Sequence, residues 1–381
     1  MKYTQVLLIL LLLPFFSHAN DGAFRVTGNQ LIPMYETDIS IKKEILSIHR
    51  INATQAQIEV YYEFFNPKLP KAIEVGFEAD SPSGDVDKTP DRDGQHPYIS
   101  GFTVNLNNSA VPFRVSIVHD SLYYRNGKYK SITVASALKE SADADEVDFL
   151  YVYHFNAVFK QGLNIIRHTY IVDLSNSVDE VYRLDYVLTA AKRWANRQID
   201  DFTLRIDMGE FQDLCIDNDF FASTSEWNTD STIKSMPVKE GNNGEQQAVR
   251  SEFFIRKGTL VFTKKNFRPA GELYLRSFSD YHYKIGLKDS SGEVTYPETF
   301  DSKRDKLPFS IDLQGAILPP ADEVSKKILR NLPFARRGYV FKSPGLTAYY
   351  KKLEWYVPDP AYTPVMNELT KKEQEWLVKI K

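Results

Sequence analysis

One cysteine in 381 residues means that no disulfide can staple this chain to itself. Cys215 lies between Leu214 and Ile216 and reads as a small buried hydrophobe of a strand rather than a reactive thiol. Stability must then come from core burial, which a chain of this length can supply. Histidines are few and scattered, seven in all. With no HExxH, no CxxC and no His pair at ligand spacing, the sequence offers no zinc site, and no metal or cofactor is expected. A Gly-x-Ser-x-Gly elbow is missing, as are the glycine-rich phosphate cradles of nucleotide-binding folds. No catalytic residue is legible. The acidic loop containing Asp85, Asp87, Asp91, Asp93 and Gly94 is glycine-bearing but fails the EF-hand template, which would begin at Thr89 and end at Ser100. It reads as a solvated loop. Beyond the first twenty residues no apolar run approaches membrane-spanning length. Charge is nearly balanced, 47 Lys or Arg against 50 Asp or Glu, so it predicts little about partners.

What is present begins with the leader. Lys2 gives a short positive start, Val6 to Phe16 is unbroken and apolar, and Ser17-His18-Ala19 sets small residues at the cleavage positions. Eleven helical residues rise roughly 16 Å, about half of the hydrocarbon core, so the run suits a signal peptide better than an anchor. Residues 1–19 are therefore expected to be removed. The mature chain should begin at Asn20, carry no lipid and no transmembrane segment, and reside in the periplasm or outside the cell.

The next three hundred residues read as β structure. Twenty-two Tyr and 24 Phe favour sheet over helix. Residues 39–51, 57–64, 150–159, 164–172, 201–208, 253–256, 259–263 and 272–277 have strand character. Asn126-Gly127, at the middle of Leu122 to Val134, accepts positive φ at both turn positions and predicts a hairpin. Lys160-Gln161-Gly162 predicts a second, on which His154 and His168 would lie on neighbouring strands, each held structurally by one hydrogen bond. Polar stretches at 81–97, 138–148 and 225–247 read as excursions. The expected fold class is α+β: a mainly antiparallel β-sandwich body over 20–316, one large or two stacked, followed by a small helical module over 322–381. Leu318-Pro319-Pro320 marks the break. Ser343-Pro344 predicts a helix start, and Thr370 to Glu373 has capping-box spacing. From Asp322 onward there are twelve Lys or Arg against seven Asp or Glu, net +5, which leaves −8 on the rest.

The tail carries Phe334-Ala335-Arg336-Arg337-Gly338 in a short, basic, aromatic-rich context. It resembles the YARHG domain, a module at the ends of exported bacterial proteins named for Tyr-Ala-Arg-His-Gly. Segments such as Tyr62 to Pro67, Ile165 to Tyr170 and Arg193 to Asn196 look like the β-rich region that precedes this module in Bacteroidota-type proteins. The resemblance implies an exported protein and assigns no reaction. One departure is that Arg337 occupies the family's histidine position, so a titrating imidazole has no place there. Arg336, Arg337 and Tyr339 are the candidate contact residues, because a guanidinium fork suits carboxylate or phosphate and aromatic faces stack on sugars. The rival reading gives the same side chains to the module's own core and to acids of the body. Three functions stand open. They are a non-enzymatic envelope or secreted protein docking to an envelope polymer or partner protein, a hydrolase acting on envelope glycan or peptide, and a purely structural protein with its tail folded on the sandwich. Nucleic acid is not an expected partner.

Overall fold

The computed structural model describes residues 24–25, 27–29, 31–33, 38–119, 124–125, 128–143, 147–229, 232–240, 247–279, 287–288, 290–311 and 318–380. Residues 1–19, read from the sequence as a leader, lie outside the described residues. Among those described, strands dominate and are mostly antiparallel. The strands of five or more residues are β1 Ser40–Arg50, β2 Gln55–Asn66, β3 Lys71–Asp80, β4 Ile99–Leu106, β5 Arg114–Val118, β6 Leu150–Phe159, β7 Gly162–Asp173, β8 Glu180–Val187, β9 Ile199–Asp207, β10 Gln212–Asp217, β11 Ile233–Glu240, β12 Gln247–Ile255, β13 Leu260–Phe267 and β14 Leu273–Phe278. Among the described residues the α-helices are α1 Val134–Asp143, α2 Glu323–Arg336, α3 Pro344–Tyr350 and α4 Lys371–Lys379. None is long and apolar enough to cross a membrane.

An eight-stranded sheet runs 227–228, β13, β9, β1, β2, β7, β4, 109–110. Along β2 buried and less buried residues alternate, as expected for a sheet covered on one face. Two smaller sheets cover it. One, β5-β6-β3 with residues 31–33, sets Phe77 against Phe102 and Tyr170. The other, β11-β12-β10-β14-β8 with residues 27–29, sets Phe253 against Trp227. A single core cluster contains residues of all three sheets. The fold is thus a mainly antiparallel β-sandwich with one large layer facing two smaller ones, although β9 runs parallel to β1 and residues 27–29 run parallel to β8.

The expected hairpin at residues 160–162 is not one. β6 pairs with β3 and β7 pairs with β2, so the tight turn crosses from one layer to the other. Gly162 turns the corner at φ +89°, and Asn164 Oδ1 accepts from the Lys160 amide at 2.9 Å. Five consecutive buried residues in β6 explain the placement, since Tyr151, Tyr153 and Phe155 enter the main core while Val152 and His154 face away from it. His154 and His168 therefore lie in different sheets. The first hairpin does form, with Tyr124 opposite Tyr129 and Arg125 opposite Lys128, although Asn126 and Gly127 themselves lie outside the described residues. Its expected second arm stops short, because Val134 opens α1, which also occupies part of the stretch read as a polar excursion.

The tail builds its own core. Ile328, Leu329, Leu332 and Ala335 of α2 pack with Tyr350, Trp355 and Trp376. Phe300, Leu307, Phe309 and Ile311 belong to the same cluster, and so do Phe211 and Phe254 of the body. Helix starts follow the sequence. Pro344 takes the first position of α3, and at α4 Thr370 and Glu373 form the full capping box.

Candidate functional site

The Phe-Ala-Arg-Arg-Gly motif is the last turn of α2 and its cap. Gly338 adopts φ +89°, its amide donates to Ala335 O at 2.8 Å, and the Tyr339 amide donates to Phe334 O at 3.0 Å. This is the paired-bond C-cap that demands a left-handed residue. A Cβ at Gly338 would meet Val357 O at 2.6 Å and Asp359 Cβ at 2.8 Å. Gly338→Ala is therefore expected to cost at least about 2 kcal/mol, read by urea unfolding, because strain and clash act together. An unchanged midpoint would disprove the cap's role.

Next to the cap the two arginines converge on one carboxylate. Arg337 grips Glu373 with two bonds, Nη1 to Oε1 at 2.6 Å and Nη2 to Oε2 at 2.8 Å, and Arg336 Nη1 reaches Oε1 at 3.2 Å. The Glu373 and Arg336 side chains are fully buried, and that of Arg337 is 11% exposed. Glu373 also accepts from the Thr370 amide at 2.8 Å, so the N-terminus of α4 and the C-terminus of α2 share it. From the body side Phe211 enters this cluster. Its ring centroid lies 4.2 Å from the Arg336 guanidinium carbon and 4.5 Å from that of Arg337. Phe211 sits at φ +54° between β9 and β10, a conformation that a bulky residue holds only when its surroundings fix it.

Further contacts join body and tail. Arg256 Nη1 donates to Arg337 O at 3.3 Å, Lys234 Nζ donates to Glu354 O, and Trp355 Nε1 donates to Leu307 O at 2.9 Å. Beneath the junction two body carboxyls are shifted upward. Burial holds Asp213 at about 6, against the opposing effects of a Ser277 hydrogen bond and of Arg336. Burial, then the charges of Asp213 and the tail's Glu354, hold Glu252 at about 7.

Where body and tail diverge they leave an open groove of about 770 Å³. Its body wall is Glu210, Phe211, Thr232, Arg256 and Lys257, and its tail wall is Arg337, Val357 to Pro360, Tyr362 and Glu368. Cations and carboxylates thus share a surface with Phe, Pro and Tyr faces.

Of the candidate contact residues, Arg337 lines this groove, Arg336 is enclosed behind Phe211, and Tyr339 is half-buried against Phe341 at 5.0 Å, away from the groove walls. Sequence reasoning missed Phe211, Arg256 and Lys257, which lie in turns with no motif. Glu373 was legible as a capping residue but not as the arginines' partner. Cys215 is buried in β10, and burial pushes its thiol up to about 12. In the acidic loop, Asp91 Oδ1 accepts from the Asp93 and Gln95 amides, and no group of three or more metal-ligating side chains occurs among the described residues.

Fold and junction together define a β-sandwich protein closed at one end by a helical cap. That cap is a YARHG domain, matched over residues 320–381. No curated protein matches the chain. Among solved structures, it resembles a protein from Legionella pneumophila named for nutrient binding, at 16% identity and TM-score 0.46, covering 95% of this chain and 100% of that one. An M1 zinc metallopeptidase from Deinococcus radiodurans aligns at 6% identity and TM-score 0.22, over 64% of this chain and 43% of the enzyme. Baculovirus P35 aligns at 10% identity and TM-score 0.23, over 63% and 92%. At these values the likenesses carry no statement about activity.

Proposed function

We propose that this is an exported binding protein whose ligand site is the groove between the sandwich and the YARHG domain. The groove itself carries the reading, because neither part forms it alone. Phe211 and Phe254 in the tail's core, with the Arg336–Arg337–Glu373 cluster against Phe211, support a tail that is a fixed wall of the site rather than a tethered module. The leader supports a place in the periplasm or outside the cell. Mixed charge and apolar faces favour a segment of an envelope polymer or of a partner protein's extended chain. Arg337 contributes through its position in the wall, since its guanidinium is already engaged by Glu373.

Lys257 is the exposed cation on the body lip. Sedimentation of the purified protein with isolated envelope fractions should show binding that weakens with salt. Lys257→Glu should reduce it by up to about tenfold, as expected for one lip charge, with an unchanged melting temperature. Equal retention of parent and variant at every salt concentration would remove the groove as the site.

A further inference from the structure

The face of the four-stranded sheet turned away from the main core carries a second polar cluster. Ser116 on β5, His154 on β6 and Glu74 on β3 lie on three adjacent strands. Ser116 Oγ is 3.0 Å from His154 Nε2, and His154 Nδ1 is 2.7 Å from Glu74 Oε1. Register accounts for the alignment. Ser116 is opposite Val152 and Glu74 opposite Asn156, so each reaches the imidazole along a diagonal. Tyr129 stacks on the ring at 3.8 Å, and buried Val118 and Val152 pack with Tyr129 beside it. The ring is thereby fixed in plane, with both nitrogens assigned. A carboxylate on Nδ1 places the proton there and leaves the Nε2 lone pair facing the serine hydroxyl. Burial lowers the His154 pKa despite Glu74, which keeps the imidazole in its neutral, proton-accepting form. Ser116 is half-buried, and the exposed Arg114 stands opposite His154 in register on the same face.

A structural histidine needs no more than one such bond. Nucleophile, base and orienting acid in one chain form the arrangement from which acyl-transfer sites are built. We propose that Ser116, His154 and Glu74 constitute a hydrolytic site for small acyl esters, separate from the groove. Ser116 Oγ bonds to the ester carbonyl carbon while its proton passes to His154 Nε2. The tetrahedral adduct collapses, the carbon–oxygen bond to the alcohol breaks, and that proton leaves on the alkoxide. Water then attacks the acyl serine with Nε2 again as base, releasing the carboxylic acid and restoring Ser116. The net change is ester plus water to acid plus alcohol. Esters are specified as the more reactive acyl class, and Arg114 is the cation whose charge reaches His154.

The full-length protein is treated with a fluorophosphonate probe and, separately, with p-nitrophenyl acetate. The probe should label the peptide containing Ser116. Ser116→Ala should abolish labelling and lower ester hydrolysis by about a hundredfold or more, with its melting temperature retained. Glu74→Gln, altering a positioning residue, should lower kcat while leaving KM in place. Failure of the folded parent to label, or labelling and hydrolysis that persist in Ser116→Ala, would overturn the proposal.

Discussion

Replacing Glu373 with alanine is expected to destabilise the tail by about 3–5 kcal/mol, the cost of removing one partner from a buried ion pair. Three partners depend on this carboxylate: the Arg336 and Arg337 guanidiniums and the Thr370 amide. Without it, Arg336 remains enclosed as a cation above Phe211, and α4 loses its capping box. Glu373→Gln keeps the shape and an acceptor but removes the charge, so its loss should be smaller. Arg336→Ala should also be milder, because Glu373 keeps its two-bond partner Arg337. Urea unfolding followed by near-ultraviolet circular dichroism reports on the tail through Trp355 and Trp376, both buried in its core. A Glu373→Ala protein within about 0.5 kcal/mol of the parent, the usual range for surface changes, would show that the cluster does not hold the tail.

The second large effect is acid sensitivity centred on His168. This ring is fully buried in the sandwich core, stacked with Tyr62 at 5.9 Å and Tyr170 at 6.0 Å, and neither of its nitrogens has a hydrogen-bond partner among the described residues. The single structural hydrogen bond expected from sequence is therefore not what holds it. Burial lowers its pKa from 6.5 to about 3. The folded state then binds fewer protons than the unfolded state between those values, so stability is full above about pH 6.5 and falls as pH drops towards 3. At pH 5 the loss from this group is about 2 kcal/mol, one and a half pH units below the unfolded value. His96, also lowered to about 3, adds in the same direction, whereas Asp213 and Glu252 are raised and act oppositely. Comparison with His168→Phe cancels these other groups. Relative to the parent, the variant should gain about 2 kcal/mol on going from pH 7 to pH 5. A parallel pH dependence in parent and variant would refute the assignment.

The tail's local elements are legible in the amino-acid order because each rests on contacts a few residues apart. Proline at the first position of α3 and the Thr370–Glu373 capping box are short-range devices, and both appear where the sequence predicts them. Alternation along β2 likewise reports a sheet with one covered face. The turn at residues 160–162 shows the limit. A glycine turn between apolar strands looks the same whether the second strand pairs with the first or crosses to the facing sheet. Only the two-sided burial of β6 separates the cases.

Periodicity, composition and bonds within one turn of chain are enough to specify the β-rich body, the helical YARHG tail and the helix starts. They do not specify which layer each strand joins, or that Phe211 meets the two arginines. Nor do they bring the body turn at Arg256 and Lys257 to face residues 357–360 across a groove, which is the work of the folded chain. The cluster of Ser116, His154 and Glu74 belongs with these, its members separated by 38 and 80 positions. The reason is geometric. Strand pairing and layer packing bring distant side chains within 3 Å of one another through the summed burial of a whole sheet, and no short stretch of sequence carries that sum.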